Sequence, residues 1–411
     1  MSARRITDFS RKSQDEMIDA FALTGLPNIF FGEGRFAEVP ALATRFGDRV
    51  LLVTGGRSLR QTTQWSQLLD ALREAGCEFH ELKVESEPSP HLVDSAVAAH
   101  RAAGIEVVIG IGGGSVLDAA KAIAGLLPHG NSVLDHLEGV GPELPYRGPS
   151  TPFIAVPTTA GTGSEATKNA VLSIQGLKGF KKSFRHDLLV PRYAVVDPDL
   201  LRGCPPDLIA ANGMDALTQV LESYVSARAN AFSDALALSG IEAARVGLLP
   251  WYEAGADAGG ARSSMAYAAL LSGITLAQVG LGSVHGLASP IGAFFPVPHG
   301  VVCGTLVAAA TEINIRALEQ RAPAHKALGK YAQVGRLFSG KQGLADHAAR
   351  LALVDTLVQW TERLGLPCLG AYGITTGDFD AIVAGCRGSS MKTNPIVLED
   401  AEVREILQAR L

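Results

Sequence analysis

The segment Ile109–Ala124, IGIGGGSVLDAAKAIA, reads as the end of a β-strand, a glycine-rich turn and the start of a helix. Gly112, Gly113 and Gly114 allow a ligand close to the backbone, and the helix presents its first unpaired N–H groups to the turn. Ser115 is expected to cap that helix, and a phosphate or pyrophosphate is the natural guest of such a terminus. The pattern is neither GxGxxG nor a Walker loop. Asp118 and Lys121 fall on the first turns of the helix and are expected there as solvated side chains.

Working outward, short Val/Ile-rich runs alternate with helical periods through the first half. Strands are expected at Arg49–Gly55, Glu78–Glu85, Ile105–Gly112, Pro152–Pro157 and Tyr193–Asp197. Helices are expected between them at Gln64–Gly76, His91–Ala103 and Ser115–Leu126. Such alternation predicts a mostly parallel sheet covered on both faces. After Asp197 strand-like runs nearly vanish. Pro205–Pro206 opens the first of a series of helices, followed by Ala231–Gly247, Ala261–Gly280, Val301–Arg316, Lys326–Phe338 and Gly343–Leu364. The division is placed near 198–205, giving an α/β unit at 1–202 and an all-helical unit at 203–411, packed tightly with a cleft between them.

A second polar turn follows the Pro152–Pro157 strand: VPTTAGTGSEAT, with Thr158, Thr159, Thr162, Ser164 and Thr167. Both turns sit at carboxyl ends of strands, where open α/β sheets bind ligands. In the helical half, Asp215 and Gln219 are spaced to share a helix face, and His285 and His299 follow later in the chain. One carboxylate and two imidazoles form a plausible donor set for Zn²⁺ or Fe²⁺; capped helix acids and core histidines are the alternative reading.

Composition bounds the rest. The chain has 411 residues, 47% hydrophobic and 19% charged, with a net charge of −5, which excludes a disordered chain and disfavours a nucleic-acid partner. The five cysteines (77, 204, 303, 368, 386) never form CxxC and are read as reduced thiols of a cytoplasmic protein. The first residues lack an apolar run of the kind a signal peptide needs. From Ser263 to Thr311 there is no Asp, Glu, Lys or Arg; its Ser, Thr, Gln and His content points to a buried helical core around a polar centre rather than a membrane span.

Taken together, LPNIFFGEGRF, GIGGGSVLDAAK, VPTTAGTGSEAT, GMDALTQVLESYVS, GLGSVHGLASPIGAFFPVPHG and the late Asn394–Pro395 resemble the iron-containing (group III) alcohol dehydrogenase family, in family order over nearly the whole chain. The resemblance implies a dinucleotide-binding α/β domain plus an all-α domain, the fold shared with dehydroquinate synthase-like enzymes. NAD or NADP and one divalent metal, Fe²⁺ or Zn²⁺, would meet in the cleft with a small alcohol or aldehyde substrate. A homodimer or higher homo-oligomer is also implied. By position, Gly112, Gly113, Gly114, Ser115 and Asp118 would hold the pyrophosphate and nearby groups; Thr158, Thr159, Thr162 and Ser164 would line the remaining cofactor, with Lys181 beside it. Asp215, His285 and His299 match three of the family's four metal ligands and carry the catalytic assignment.

Two positions depart from the pattern. The fourth ligand is a His four residues after the Asp, where this chain has Gln219, expected as a neutral and weaker metal ligand through its amide oxygen; Ser289 stands where iron-binding relatives often have a His near the substrate. After the first strand, Thr54, Gly55, Gly56, Arg57 and Ser58, with Arg60 nearby, offer no acid to repel a 2′-phosphate, which favours NADP over NAD. Phe180, Phe294 and Phe295 are expected to make the substrate cleft partly apolar. Rival readings are a glycerol dehydrogenase-like or dehydroquinate synthase-like Zn²⁺ enzyme, and a non-catalytic nucleotide-binding relative with a decayed metal site.

Overall fold

A computed structural model describes residues 18–56, 59–176 and 178–411. The N-terminal residues read against a signal peptide lie largely outside these, as do Arg57 and Ser58. The strands are β1 (Asn28–Phe31), β2 (Arg49–Thr54), β3 (Glu78–Lys83), β4 (Val107–Gly112), β5 (Phe153–Pro157), β6 (Asn169–Ile174), β7 (Phe180–Arg185) and β8 (Tyr193–Val196). Six of them form one parallel sheet in the order β1-β8-β5-β4-β2-β3, and β6 and β7 pair as a separate antiparallel hairpin.

The Val/Ile runs alternate across the sheet. Leu51, Val53 and Val108 pack with α3 (Pro90–His100) and α4 (Gly114–Leu126) on one face. Val50, Leu52, Val107 and Ile109 pack with α1 (Val39–Ala43) and α2 (Thr63–Glu74) on the other. Burial on both faces is why these strands are apolar throughout rather than alternating.

The helical half comprises α5 (Pro206–Val225), α6 (Ala231–Ala254), α7 (Gly259–Val279), α8 (Ser283–Phe294), α9 (His299–Arg321), α10 (Lys326–Ser339), α11 (Asp346–Arg363), α12 (Phe379–Gly385) and α13 (Asp400–Gln408) around one large core. The uncharged segment becomes α7, α8 and the first half of α9. By length and composition α9 qualifies as a membrane span, and α7 with α8 qualify as a single span bent by 99°; yet 83% of the α9 window is buried inside the protein, as in a core helix.

Strands β1, β6 and β7 and helices α1, α8, α12 and α13 were not expected from the sequence. Strand β1 is only four residues long and half-exposed, leaving little apolar signal. The β6–β7 hairpin contains the basic run FKKSFR. Helix α8 contains Gly286, Pro290 and Gly292, which mask helical periodicity.

Candidate metal and dinucleotide site

Helix α4 begins one residue earlier than expected, and its N-cap is Gly113 with no side-chain cap. Ser115 is therefore inside the first turn and does not cap the helix. The first intrahelical bonds run from Val116 N and Leu117 N to Gly113 O, so the N–H groups of Gly114 and Ser115 precede the ladder. Glycine is needed here for proximity: a Cβ on Gly114 would lie 2.7 Å from Thr162 Oγ1, and one on Gly112 2.5 Å from Val116 Cγ2. The glycine turn and the threonine turn thus touch each other directly.

Lys121 is not solvated. It is fully buried, and its ammonium donates to Ser164 O at 2.8 Å and to Ser164 Oγ, Thr167 Oγ1 and Asn169 O at 2.9 Å. Asp118 is also engaged, accepting from Ser164 Oγ at 2.5 Å and from Val171 N at 3.0 Å. The hairpin β6–β7 covers this face of α4, which accounts for the burial.

On α5, Asp215, Gln219 and Glu222 occupy i, i+4 and i+7 of an otherwise apolar face. Glu222 was not singled out from the sequence, although that spacing marks it. It has two tasks. Its carboxylate accepts from Val284 N at 2.7 Å and His285 N at 3.4 Å, satisfying the start of α8 with Asn394 Oδ1, which accepts from Ser283 N at 3.0 Å. It also lies 2.7 Å from His285 Nδ1, directing the ring so that Nε2 faces Asp215 Oδ1 at 3.2 Å. His299 Nε2 is 3.8 Å from the same Asp215 oxygen.

Cys303, one turn beyond His299 on α9, joins this cluster: its Sγ is 3.5 Å from His285 Nε2 and 3.8 Å from His299 Nε2. One donor atom from each of Asp215, His285, His299 and Cys303 lies within 4.8 Å of the others. From the sequence Cys303 is marked only as one of five reduced thiols. Asp215 Oδ2 and Gln219 Oε1 are buried without a hydrogen-bond partner, and a cation would satisfy such oxygens. Gln219 Nε2 donates to Gly161 O at 3.3 Å.

Burial works against charge on each of these groups. It would raise the pKa of Asp215, but the two imidazoles outweigh it and hold the carboxyl below its ordinary value. Burial, reinforced by Lys181 and His285, pushes His299 down to about 4 against the pull of Asp215. Burial also opposes charge on His285, yet Cys303, Asp215 and Glu222 raise it well above the usual value. The Cys303 thiol is pushed up to about 12 by burial, against the pull of His285.

One cavity of about 270 Å³ joins the two halves; Gly114, Ser115, Asp118, Thr162 and Ser164 line one side, Gln219, His285 and His299 the other, with Lys181 between. Gly55, Gly56, Gly112, Gly113, Thr158 and Thr159 flank it along the strand ends rather than line it. Lys181 pairs with Glu87 at 2.6 Å, and Ser289 lines the cavity while donating to Lys181 O at 3.1 Å. Phe180, Phe294 and Phe295 do not line it; they pack against the hydrophobic cores. Nor is the turn after β2 free of acid. Arg60 pairs with Glu81 of β3 at 2.6 Å, a neighbour brought in by sheet pairing rather than by sequence.

The architecture is a parallel α/β sheet joined to a helical domain, with a cluster that could hold a metal ion between them. Residues 27–198 match the model described as iron-containing alcohol dehydrogenase, and residues 209–411 match that of the C-terminal region of the Fe-containing alcohol dehydrogenase family. The chain belongs to this family and is an oxidoreductase acting on alcohols. It is 32% identical over 384 residues to long-chain-alcohol dehydrogenase 1 of Geobacillus thermodenitrificans, spanning 92% of this chain and 93% of that protein. It is 29% identical to an NADPH-dependent butanol dehydrogenase of Clostridium saccharobutylicum, spanning 93% and 95%. The crystal structure of an archaeal alcohol dehydrogenase from a Red Sea brine pool superposes with a TM-score of 0.88 at 28% identity, covering 96% of this chain and 100% of that one.

Proposed function

We propose that this enzyme transfers hydride between a nicotinamide dinucleotide and the carbon of a small alcohol or aldehyde, with Asp215, His285 and His299 holding one divalent cation. The observation that carries the reading is the cavity bounded by the first turn of α4 and by His285 and His299, whose Nε2 atoms face the buried Asp215. The cation would act as a Lewis acid toward the substrate oxygen, worth several kcal/mol of barrier, while the dinucleotide carries the hydride.

The chain's own residues do the rest. Gly114 and Ser115 offer N–H groups to a pyrophosphate at the helix terminus. Asp118 and Lys121 hold Ser164 and Thr167 in place beside it. Glu222 fixes the tautomer and direction of His285, as outer-sphere carboxylates do for ligating imidazoles. Asp215 supplies the anionic charge that offsets a cation. Ser289, whose hydroxyl donates to Lys181 O, cannot titrate near neutral pH, so proton exchange falls to cavity water or the dinucleotide ribose.

NADP(H) is the preferred nucleotide, through Arg60, in keeping with the name of the Clostridium relative. Glu81 competes with a 2′-phosphate for Arg60, so the preference over NAD(H) is modest. The working units are the α/β part to residue 202 and the helical part from 203. A homodimer in a cytoplasmic setting suits the family and the five free thiols. The test is elemental analysis with NAD(P)H oxidation across an aldehyde panel, before and after chelation. Turnover should vanish with the metal and return with Zn²⁺ or Fe²⁺; full turnover without metal refutes the cation's role.

A further inference from the structure

We propose that Cys303 Sγ, as a thiolate, is the fourth protein ligand of the cation, in preference to Gln219 Oε1. This rests on the reading that Asp215, His285 and His299 hold a cation. With Zn–N and Zn–O at about 2.0–2.2 Å and Zn–S near about 2.3 Å, a tetrahedral centre sets N···O edges of about 3.3–3.5 Å and N···S edges of about 3.5–3.6 Å. The side chains already stand near those edges: Asp215 Oδ1 is 3.2 and 3.8 Å from the two imidazole Nε2 atoms, and Cys303 Sγ is 3.5 and 3.8 Å from them.

A thiol donating one hydrogen bond needs one acceptor, whereas this sulfur faces two ring nitrogens at once. Asp215, 1% exposed, still has Oδ2 without a partner, so the cluster as it stands leaves a buried carboxylate oxygen unsatisfied. Asp215–Gln219 on α5 and His299–Cys303 on α9 are both i, i+4 pairs, so either helix offers a second donor one turn on. The thiolate is the stronger of the two: it is anionic, whereas the amide oxygen of Gln219, also buried without a hydrogen-bond partner, is neutral. Carboxylate, two imidazoles and a thiolate make a set suited to Zn²⁺ more than to Fe²⁺. Four protein donors leave a substrate a fifth position, a count that catalytic Zn²⁺ reaches.

The test loads metal-free protein with Co²⁺ and records the near-ultraviolet thiolate-to-cobalt charge-transfer band in wild type, Cys303→Ala, Cys303→Ser and Gln219→Ala. The band should be present in wild type and Gln219→Ala and absent in both Cys303 variants. Zn²⁺ affinity, measured by chelator competition, should fall at least about 100-fold in the Cys303 variants, since even outer-sphere losses cost about 10–100-fold. X-ray absorption of Zn²⁺-loaded wild type needs no variant and should show one sulfur scatterer at about 2.3 Å. Co²⁺ bound without the thiolate band, or a zinc shell of nitrogen and oxygen alone, overturns Cys303 as a ligand and leaves the cation reading standing. Wild type that takes up neither metal overturns both.

Discussion

Lys121 has no exposed surface, and its ammonium is pushed down to about 8 by burial, with Asp118 and Glu165 opposing. It is therefore still charged at neutral pH, held by two carbonyls and two hydroxyls. Lys121→Met strands Asp118 and those carbonyls, and should cost about 3–5 kcal/mol in urea denaturation. Glu165, 2% exposed, sits in the same turn and is pushed up to about 7, chiefly by burial. Its folded-state pKa is above the unfolded value, so its contribution is greatest below about pH 4.5 and is lost as pH rises toward 7. Glu165→Gln should therefore stabilise the protein by up to roughly 3 kcal/mol at pH 8 and by almost nothing near pH 4, read from paired denaturation curves. At Arg60, Glu81→Gln should free the guanidinium and raise the ratio of kcat/KM for NADP(H) over NAD(H) by about tenfold, the order of one displaced charge contact. Glycine turns, threonine turn and metal-type donors are legible at this scale because their chemistry is written in residue type. The burial of Lys121 is not, because it depends on a hairpin whose strands carry no alternating apolar pattern.

Helix α8 begins without a local cap, and remote side chains satisfy its first N–H groups: Asn394 from near the chain's end and Glu222 from α5. Because the same carboxylate holds His285, helix and imidazole are positioned together. Glu222→Gln keeps the size but weakens the acceptor, and should lower Zn²⁺ affinity about 10–100-fold by chelator competition. The glycine turn of α4 is as constrained. Gly114→Val would drive its branched side chain into Thr162 and should abolish saturable dinucleotide binding in fluorescence titration while metal content is unchanged. Elements with a strong period — α2, α4, α5 and the buried strands — match expectation closely, whereas α8 was missed because Gly and Pro interrupt it. Its placement depends on Glu222 and Asn394, which are distant in sequence and meet only in the folded chain.

Across the whole molecule, the two halves are joined at close contacts as well as by the chain. Gly161 O accepts from Gln219 Nε2 and from Ser272 Oγ at 3.3 Å each, and fully buried Arg262 donates to Pro198 O at 2.8 Å. At the tightest point Gly163, with φ +62°, lies backbone to backbone against Gly273 of α7: a Cβ on Gly273 would fall 2.0 Å from Gly163 O. Gly273→Ala must push the threonine turn away from α7. It should lower stability by at least about 3 kcal/mol and weaken dinucleotide binding, measured by thermal unfolding with and without nucleotide. No composition shift marks this seam; two glycines far apart in the chain are unremarkable until the fold presses them together.

That bare contact also fixes a distance. With no side chain between the two peptide planes there is nothing that can yield if either backbone gains an atom. The Gly163–Gly273 touch then sets how near the threonine turn stands to α7, and with it the wall that Thr162 and Ser164 give the cavity.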